Sequence, residues 1–222
     1  MTWISVPDPF DEREGAMPVK LVVCGGYGAG KTTFVGAISE IVPITTEAPL
    51  TELSIGTDEG AVATKLATTV ALDFGRISID SGLVLYLFGT PGQSRFRFAW
   101  DEVTRGAIGA VILADSRRIG DAFASVDFCE TRGIPFVIAV NRFDGQLAHD
   151  IDDLRAALVL QPDVPVMAID ARSRADAKST LIALVLHALR SGRFQWRITT
   201  GSTPAILVLV SRPIAKRGAR AR

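Results

Sequence analysis

Cysteine is nearly absent: the 222 residues contain two, Cys24 and Cys129. Neither belongs to a metal-ligand spacing, and both sit among apolar residues, so zinc modules and disulfide scaffolds are excluded and buried free thiols in a reducing cytoplasm are expected. No apolar run approaches the roughly 20 residues that a membrane-spanning helix needs. Net charge is absent too, with 24 basic residues against 24 acidic ones, which argues against a nucleic-acid partner. Residues 1–17 contain Asp8, Asp11, Glu12 and Glu14 and no apolar core of the signal-peptide kind; they read as a flexible leader. Acidic residues are missing altogether from residues 191–222, which carry seven basic ones and leave 17 basic against 24 acidic in residues 1–190. That asymmetry sets the tail apart.

Hydrophobic residues make up 48% of the chain, enough for one α/β domain with a sizeable core. Its organising stretch is Gly25-Gly26-Tyr27-Gly28-Ala29-Gly30-Lys31-Thr32-Thr33, which fits G-x-x-x-x-G-K-[ST]. Glycines let the backbone close around an anion with its N–H groups inward, and the following helix adds a positive N-terminal end. Lys31 then reaches the β- and γ-phosphates, and the Thr32 hydroxyl holds Mg²⁺.

Before this loop, residues 19–24 are an apolar run bounded by glycine, which reads as a buried strand. Residues 32–42 place Phe34, Ala37, Ile38 and Ile41 on one helical face, and Pro43 ends that helix. Residues 43–67 show little periodicity and read as a long loop. Residues 69–79 and 83–88 read as two strands, joined at Asp80-Ser81-Gly82 in an antiparallel hairpin. Further strands are expected over 107–114, 135–140 and 164–169, with helices over 120–132, 151–160 and 180–190. Strands alternating with helices imply a mostly parallel sheet covered on both faces. Four of the apolar runs are followed at once by Gly25, Gly89, Asn141 or Asp170. Ligands of open α/β sheets bind beyond the carboxyl ends of the strands, so four distant motifs converge on one edge.

With these motifs in order, the chain resembles the Ras-like small GTPases. Within them it resembles the bacterial branch of gliding-motility polarity GTPases and conservon GTP-binding proteins. The phrases that carry the resemblance are GGYGAGKTTF, TTVALDFGRI, LFGTPGQ and VNRFDG, across residues 18–190. The resemblance implies a three-layer P-loop NTPase fold: a mostly parallel sheet of about six strands, one of them antiparallel, with helices on both faces. Residues 18–190 are then the GTP-binding domain. Asn141 and Asp144 fit the base-recognition motif Asn-Lys-x-Asp, with Arg142 in place of the lysine. The Asp144 carboxylate can accept hydrogen bonds from guanine N1 and N2, where adenine offers no donors. Asn141 would hold the loop, and Arg142 would lie along base and ribose. Asp170-Ala171-Arg172 resembles the last motif, with the Ala171 N–H toward the guanine carbonyl oxygen; an ordinary strand-end turn is nearly as good a reading of that piece alone.

Gly89-Thr90-Pro91-Gly92 stands where the family usually has Asp-x-x-Gly, so the acid that steadies Mg²⁺ is replaced by Gly89, as the gliding-motility branch also replaces it. Gly92 would sense the γ-phosphate, and Gln93 would orient the attacking water. The first switch should give Mg²⁺ a threonine: Thr69 by register, with Thr68 and Thr64 as alternatives. Arg95, Arg97 and Arg105 are candidates for an arginine finger, a solvated face or a partner surface, and Phe96, Phe98 and Trp100 suit that partner surface or plain core packing. His149 and His187 read as surface and helix residues.

The implied function is a GTP-binding switch with slow hydrolysis to GDP, cytoplasmic, with a roadblock-domain regulator and a sensor-kinase-like membrane complex as partners. Two other readings stay open: a nucleotide-dependent interaction module without useful hydrolysis, and an ATP-using P-loop enzyme. The tail, residues 191–222, combines apolar residues 205–210 with Arg212, Lys216, Arg217, Arg220 and Arg222. Peripheral attachment to an anionic membrane, strand addition to a partner, and disorder without a role are its three readings.

Overall fold

The computed structural model describes residues 17–53, 65–79, 83–143, 145–192, 194–201 and 203–211. The leader up to residue 16, the switch candidate Thr64, the base-recognition candidate Asp144 and the basic end from Arg212 to Arg222 lie outside the described residues.

The described residues form nine strands and five α-helices: β1 (Met17–Gly25), α1 (Lys31–Ile38), β2 (Ile44–Leu53), β3 (Lys65–Ile79), β4 (Leu83–Gly89), α2 (Trp100–Thr104), β5 (Gly109–Asp115), α3 (Phe123–Arg132), β6 (Phe136–Asn141), α4 (Ile151–Ala157), β7 (Val166–Ile169), α5 (Arg174–Arg190), β8 (Phe194–Gly201) and β9 (Thr203–Ser211). Seven strands form one sheet in the order β2-β3-β4-β1-β5-β6-β7. Only β3 runs against the rest: it is antiparallel to β2 and β4, while β1 is parallel to β4 and β5.

The core follows from alternation along the strands. Val19, Leu21 and Val23 of β1 face one layer, with Phe34, Val35 and Ile38 of α1 and Leu181 and Leu184 of α5. Val22 and Cys24 face the other, with Val103, Val126, Cys129 and Leu154 from α2, α3 and α4. Covered on both sides, β5 and β6 are buried at every position, which is why both read as continuous apolar runs. Side chains such as Phe34, Leu21 and Ile112, fully buried, each contribute about 1.5–3 kcal/mol by leaving water. Cys24 and Cys129 are buried free thiols, as expected.

Two expectations need correction. Residues 43–67 are not all loop, because residues 44–53 form β2, paired along its length with β3. Its Ile, Thr and Leu content suits a strand, and Pro49 is tolerated because β2 is an edge. With β2 the sheet has seven strands, one of them antiparallel, in keeping with the expected mostly parallel sheet. The last helix begins at Arg174, well before residue 180, because the Ser173 hydroxyl accepts the Asp176 N–H at 3.2 Å and caps it. Within the tail, β8 pairs with β9 as an antiparallel hairpin. Among the described residues, no helix is long and apolar enough to cross a membrane.

Candidate phosphate and base site

Gly25 turns β1 into the phosphate loop with φ +141°, and a Cβ there would lie 2.4 Å from the Leu113 carbonyl oxygen. Only glycine fits that combination. Helix α1 then starts at Lys31, so the free N–H groups of its first turn face the loop. The loop borders a cleft of about 530 Å³, lined by Lys31, Thr32, Thr33, Asp73, Gly92 and Gln93.

Lys31 is almost fully buried, and its Nζ donates to the carbonyl oxygens of Gly25 at 3.0 Å and Gly26 at 2.7 Å. Burial lowers its pKa, and the opposing pull of Asp73 limits the fall. The cation is held at the rim of the cleft, where phosphate oxygens can replace the two carbonyls.

Gly92 closes over the loop: a Cβ there would stand 2.6 Å from Lys31 Nζ and 3.0 Å from the Gly26 oxygen. The turn that follows β4 is anchored on both sides. The Thr90 N–H donates to the Val23 oxygen at 2.9 Å, and the Trp100 indole N–H donates to the Pro91 oxygen at 3.2 Å. Gln93 is exposed and borders a second cleft of about 400 Å³ together with Arg97 and Trp100. Arg97 lies over the Trp100 ring at 5.9 Å. Arg105 is elsewhere. It pairs with Glu102, and its carbonyl accepts from Lys20, five residues before Gly25 and so about 17 Å down β1.

Asn141 ties three motifs together. Its Nδ2 donates to the Ala29 oxygen of the phosphate loop at 3.1 Å, and its Oδ1 accepts the Ala171 N–H at 3.1 Å. Ala171, expected to turn its N–H to guanine, thus directs it to Asn141. Arg142 reaches Asp176 at 3.4 Å rather than lying free along the cleft, and Arg172 forks onto Asp170 at 2.8 Å. These bonds from Arg172 hold the Asp170 carboxyl down at about 2.

Two acids escape a motif-based reading. Asp115, buried at the end of β5, accepts from the Arg117 side chain at 3.0 and 2.8 Å, which lowers its pKa, and Arg117 lies 3.9 Å over the ring of Phe143, two residues after Asn141. Asp73 accepts the Thr32 hydroxyl at 2.8 Å. The signal for Asp73 was an acid inside the β-prone run Thr68 to Phe74. Thr69, the expected metal ligand, is instead paired in β3 opposite Pro49, four residues and about 13 Å along the strand from Asp73. Among the described residues no three His, Cys, Asp or Glu side chains cluster as a metal site.

A family model described as "Conserved hypothetical ATP binding protein" matches residues 23–191. An uncharacterized protein of Methanocaldococcus jannaschii is 29% identical over 136 residues, 60% of this chain and 74% of that protein. Among solved structures, the FeoB G-domain from Methanococcus jannaschii aligns with TM-score 0.53 at 14% identity, covering 78% of this chain and 98% of that one. The G domain of the T. maritima FeoB iron transporter gives 0.55 at 18%, covering 78% and 99%. A mutant S. thermophilus NFeoB bound to mGDP gives 0.54 at 19%, covering 77% and 62%. At these identities the structural likeness establishes the fold, a three-layer P-loop NTPase.

Proposed function

This chain belongs to the family of conserved hypothetical ATP binding proteins, and we propose that the nucleotide it takes is GTP, hydrolysed slowly to drive a molecular switch. The observation that carries the reading is Asn141, one side chain bonded to both the phosphate loop and the Ala171 loop. That linkage makes phosphate binding and base reading parts of one site. Asp144, three residues on, then selects guanine through N1–H and N2–H. The family's description as ATP binding favours adenine, and this is the rival reading. Competition of GTP, ATP and xanthosine triphosphate for the wild type and Asp144→Asn decides between them. A guanine reader loses GTP on that change; a protein that prefers ATP before and after it is not one.

Mg²⁺ fits the oxygen donors at Thr32 and would neutralise charge on the β- and γ-phosphate oxygens. Lys31 exchanges its loop carbonyls for phosphate oxygens. Gly92 meets the γ-phosphate through its N–H, and Gln93 positions the water. Thr69 joins the site once β3 leaves its present pairing, which makes residues 43–69 and 89–105 the moving parts. Turnover well below one per second is expected of the protein alone. Equal single-turnover rates for wild type and Gln93→Leu would reduce the protein to a nucleotide-dependent interaction module.

In this reading the protein belongs with the gliding-motility and conservon branch and works in the cytoplasm. Its partners are a roadblock-domain regulator and a sensor-kinase-like membrane complex. The surface beside Gln93, with Arg97 exposed on it, is the docking face that changes with nucleotide. The basic tail adds peripheral membrane contact. Truncation of residues 191–222 that leaves vesicle sedimentation unchanged removes that role.

A further inference from the structure

Gly89 and Asp73 face each other across two strands. The antiparallel register pairs Phe74 with Phe88, so the next step brings Asp73 opposite Gly89. A Cβ built on Gly89 would lie 2.9 Å from the Asp73 Cβ and 3.0 Å from its Oδ2. Side chains at directly opposed positions ordinarily keep their Cβ atoms about 4.5–5.5 Å apart. Two side chains therefore cannot occupy this pair in the present backbone. The space that an acid at position 89 would fill is filled by the carboxylate of Asp73.

That carboxylate is already engaged with the phosphate site. It accepts the Thr32 hydroxyl at 2.8 Å and lines the cleft with Lys31 and Thr33. Its position is fixed by packing. Two residues along β3, a Cβ on Gly75 would stand 2.7 Å from Val35 Cγ1 of α1, so strand and helix are in close contact there. Helix α1 begins at Lys31, and β3 passes its first turn at Asp73.

We infer that Asp73 is the acid of the Mg²⁺ site, supplied from β3 in place of the one missing at Gly89. The inference rests on the nucleotide-switch reading for the metal and on the phosphate loop alone for the ligand, so it holds for either base. The chemistry is that of a hard cation taking oxygen donors. Asp73 acts as a positioning residue. As acceptor for the Thr32 proton, it directs the hydroxyl lone pairs away from itself and adds a negative charge beside the metal, as outer partners of metal ligands do. Gly89 is then half of an exchanged pair rather than a simple loss.

The test is the release rate of fluorescent GDP and ADP analogues from the full-length protein, with Mg²⁺ and with EDTA. For the wild type, removing Mg²⁺ speeds release of the bound analogue. Asp73→Ala and Asp73→Asn should reduce the ratio of the two rates by about 10- to 100-fold, the usual loss on removing an outer partner of a metal ligand. Gly89→Asp together with Asp73→Gly moves the acid across the pair without adding a second Cβ, and should restore the ratio. Circular dichroism melting checks that each variant is folded. A wild-type ratio in folded Asp73→Ala overturns the role of Asp73 and leaves nucleotide binding standing. A folded exchange variant that binds nucleotide but releases it equally fast in both buffers overturns the exchange. A wild type that retains neither analogue overturns this inference and the switch reading together.

Discussion

Asn141→Ala should be among the most damaging single changes that leave the outer surface untouched. Asn141 is 4% exposed, and both ends of its amide are bonded. Alanine leaves the Ala29 carbonyl and the Ala171 N–H without their partner, and each orphaned group costs about 1–3 kcal/mol when buried. Water filling the vacated volume recovers part of this, so a net loss of about 3 kcal/mol is expected, a large share of the roughly 5–15 kcal/mol that holds a domain folded. With an m-value near 2 kcal/mol/M, that corresponds to a fall of about 1.5 M in the urea midpoint. The assay is urea unfolding of nucleotide-free protein, followed by circular dichroism. Asn141→Asp keeps the acceptor for Ala171 but sets a carboxylate against the Ala29 oxygen, so it should do no better than alanine. A midpoint shift below about 0.5 M in Asn141→Ala, at unchanged m, would refute the claim that this side chain binds the two loops together.

Three further outcomes follow. Asp115→Asn should destabilise by about 1–3 kcal/mol in urea unfolding at pH 7, because it weakens bonds from Arg117 to a buried carboxylate. Its folded pKa is lowered, so this contribution is present above the unfolded value near 3.9 and is lost as pH falls through the folded one; the gap between wild type and variant should close only below about pH 4. Gly92→Ala places a Cβ against Lys31 Nζ and the loop backbone, so GTP affinity relative to GDP should fall about tenfold, about 1.4 kcal/mol, by equilibrium binding. Trp100→Phe removes the indole bond to Pro91 and should cost about 0.5–1.5 kcal/mol in urea unfolding, with faster limited proteolysis between residues 93 and 99.

The site was legible where its chemistry is written in consecutive residues. Gly25 to Thr33 needs only its own glycines and the strand before it, and Asn141 follows directly from the end of an apolar run. Apolar runs fully covered on both faces, such as β5 and β6, announce themselves without any partner in view. Illegible were features that depend on what lies alongside. Strand β2 has weak periodicity and exists through its pairing with β3. The early start of α5 turned on one Ser173 cap, and the place of Thr69 opposite Pro49 depended on the pairing of β3 with β2.

The sequence by itself determined the phosphate loop, the strand-then-motif order and the class of fold, because backbone period and glycine conformation are local properties. Tertiary structure alone decided which acid meets Thr32. Asp73 and Gly89 are 16 residues apart, and only the hairpin register and the close packing of Gly75 on α1 bring the carboxylate into the space where Gly89 has no side chain. A cross-strand contact depends on which residues end up opposite each other, and that is a property of the folded sheet.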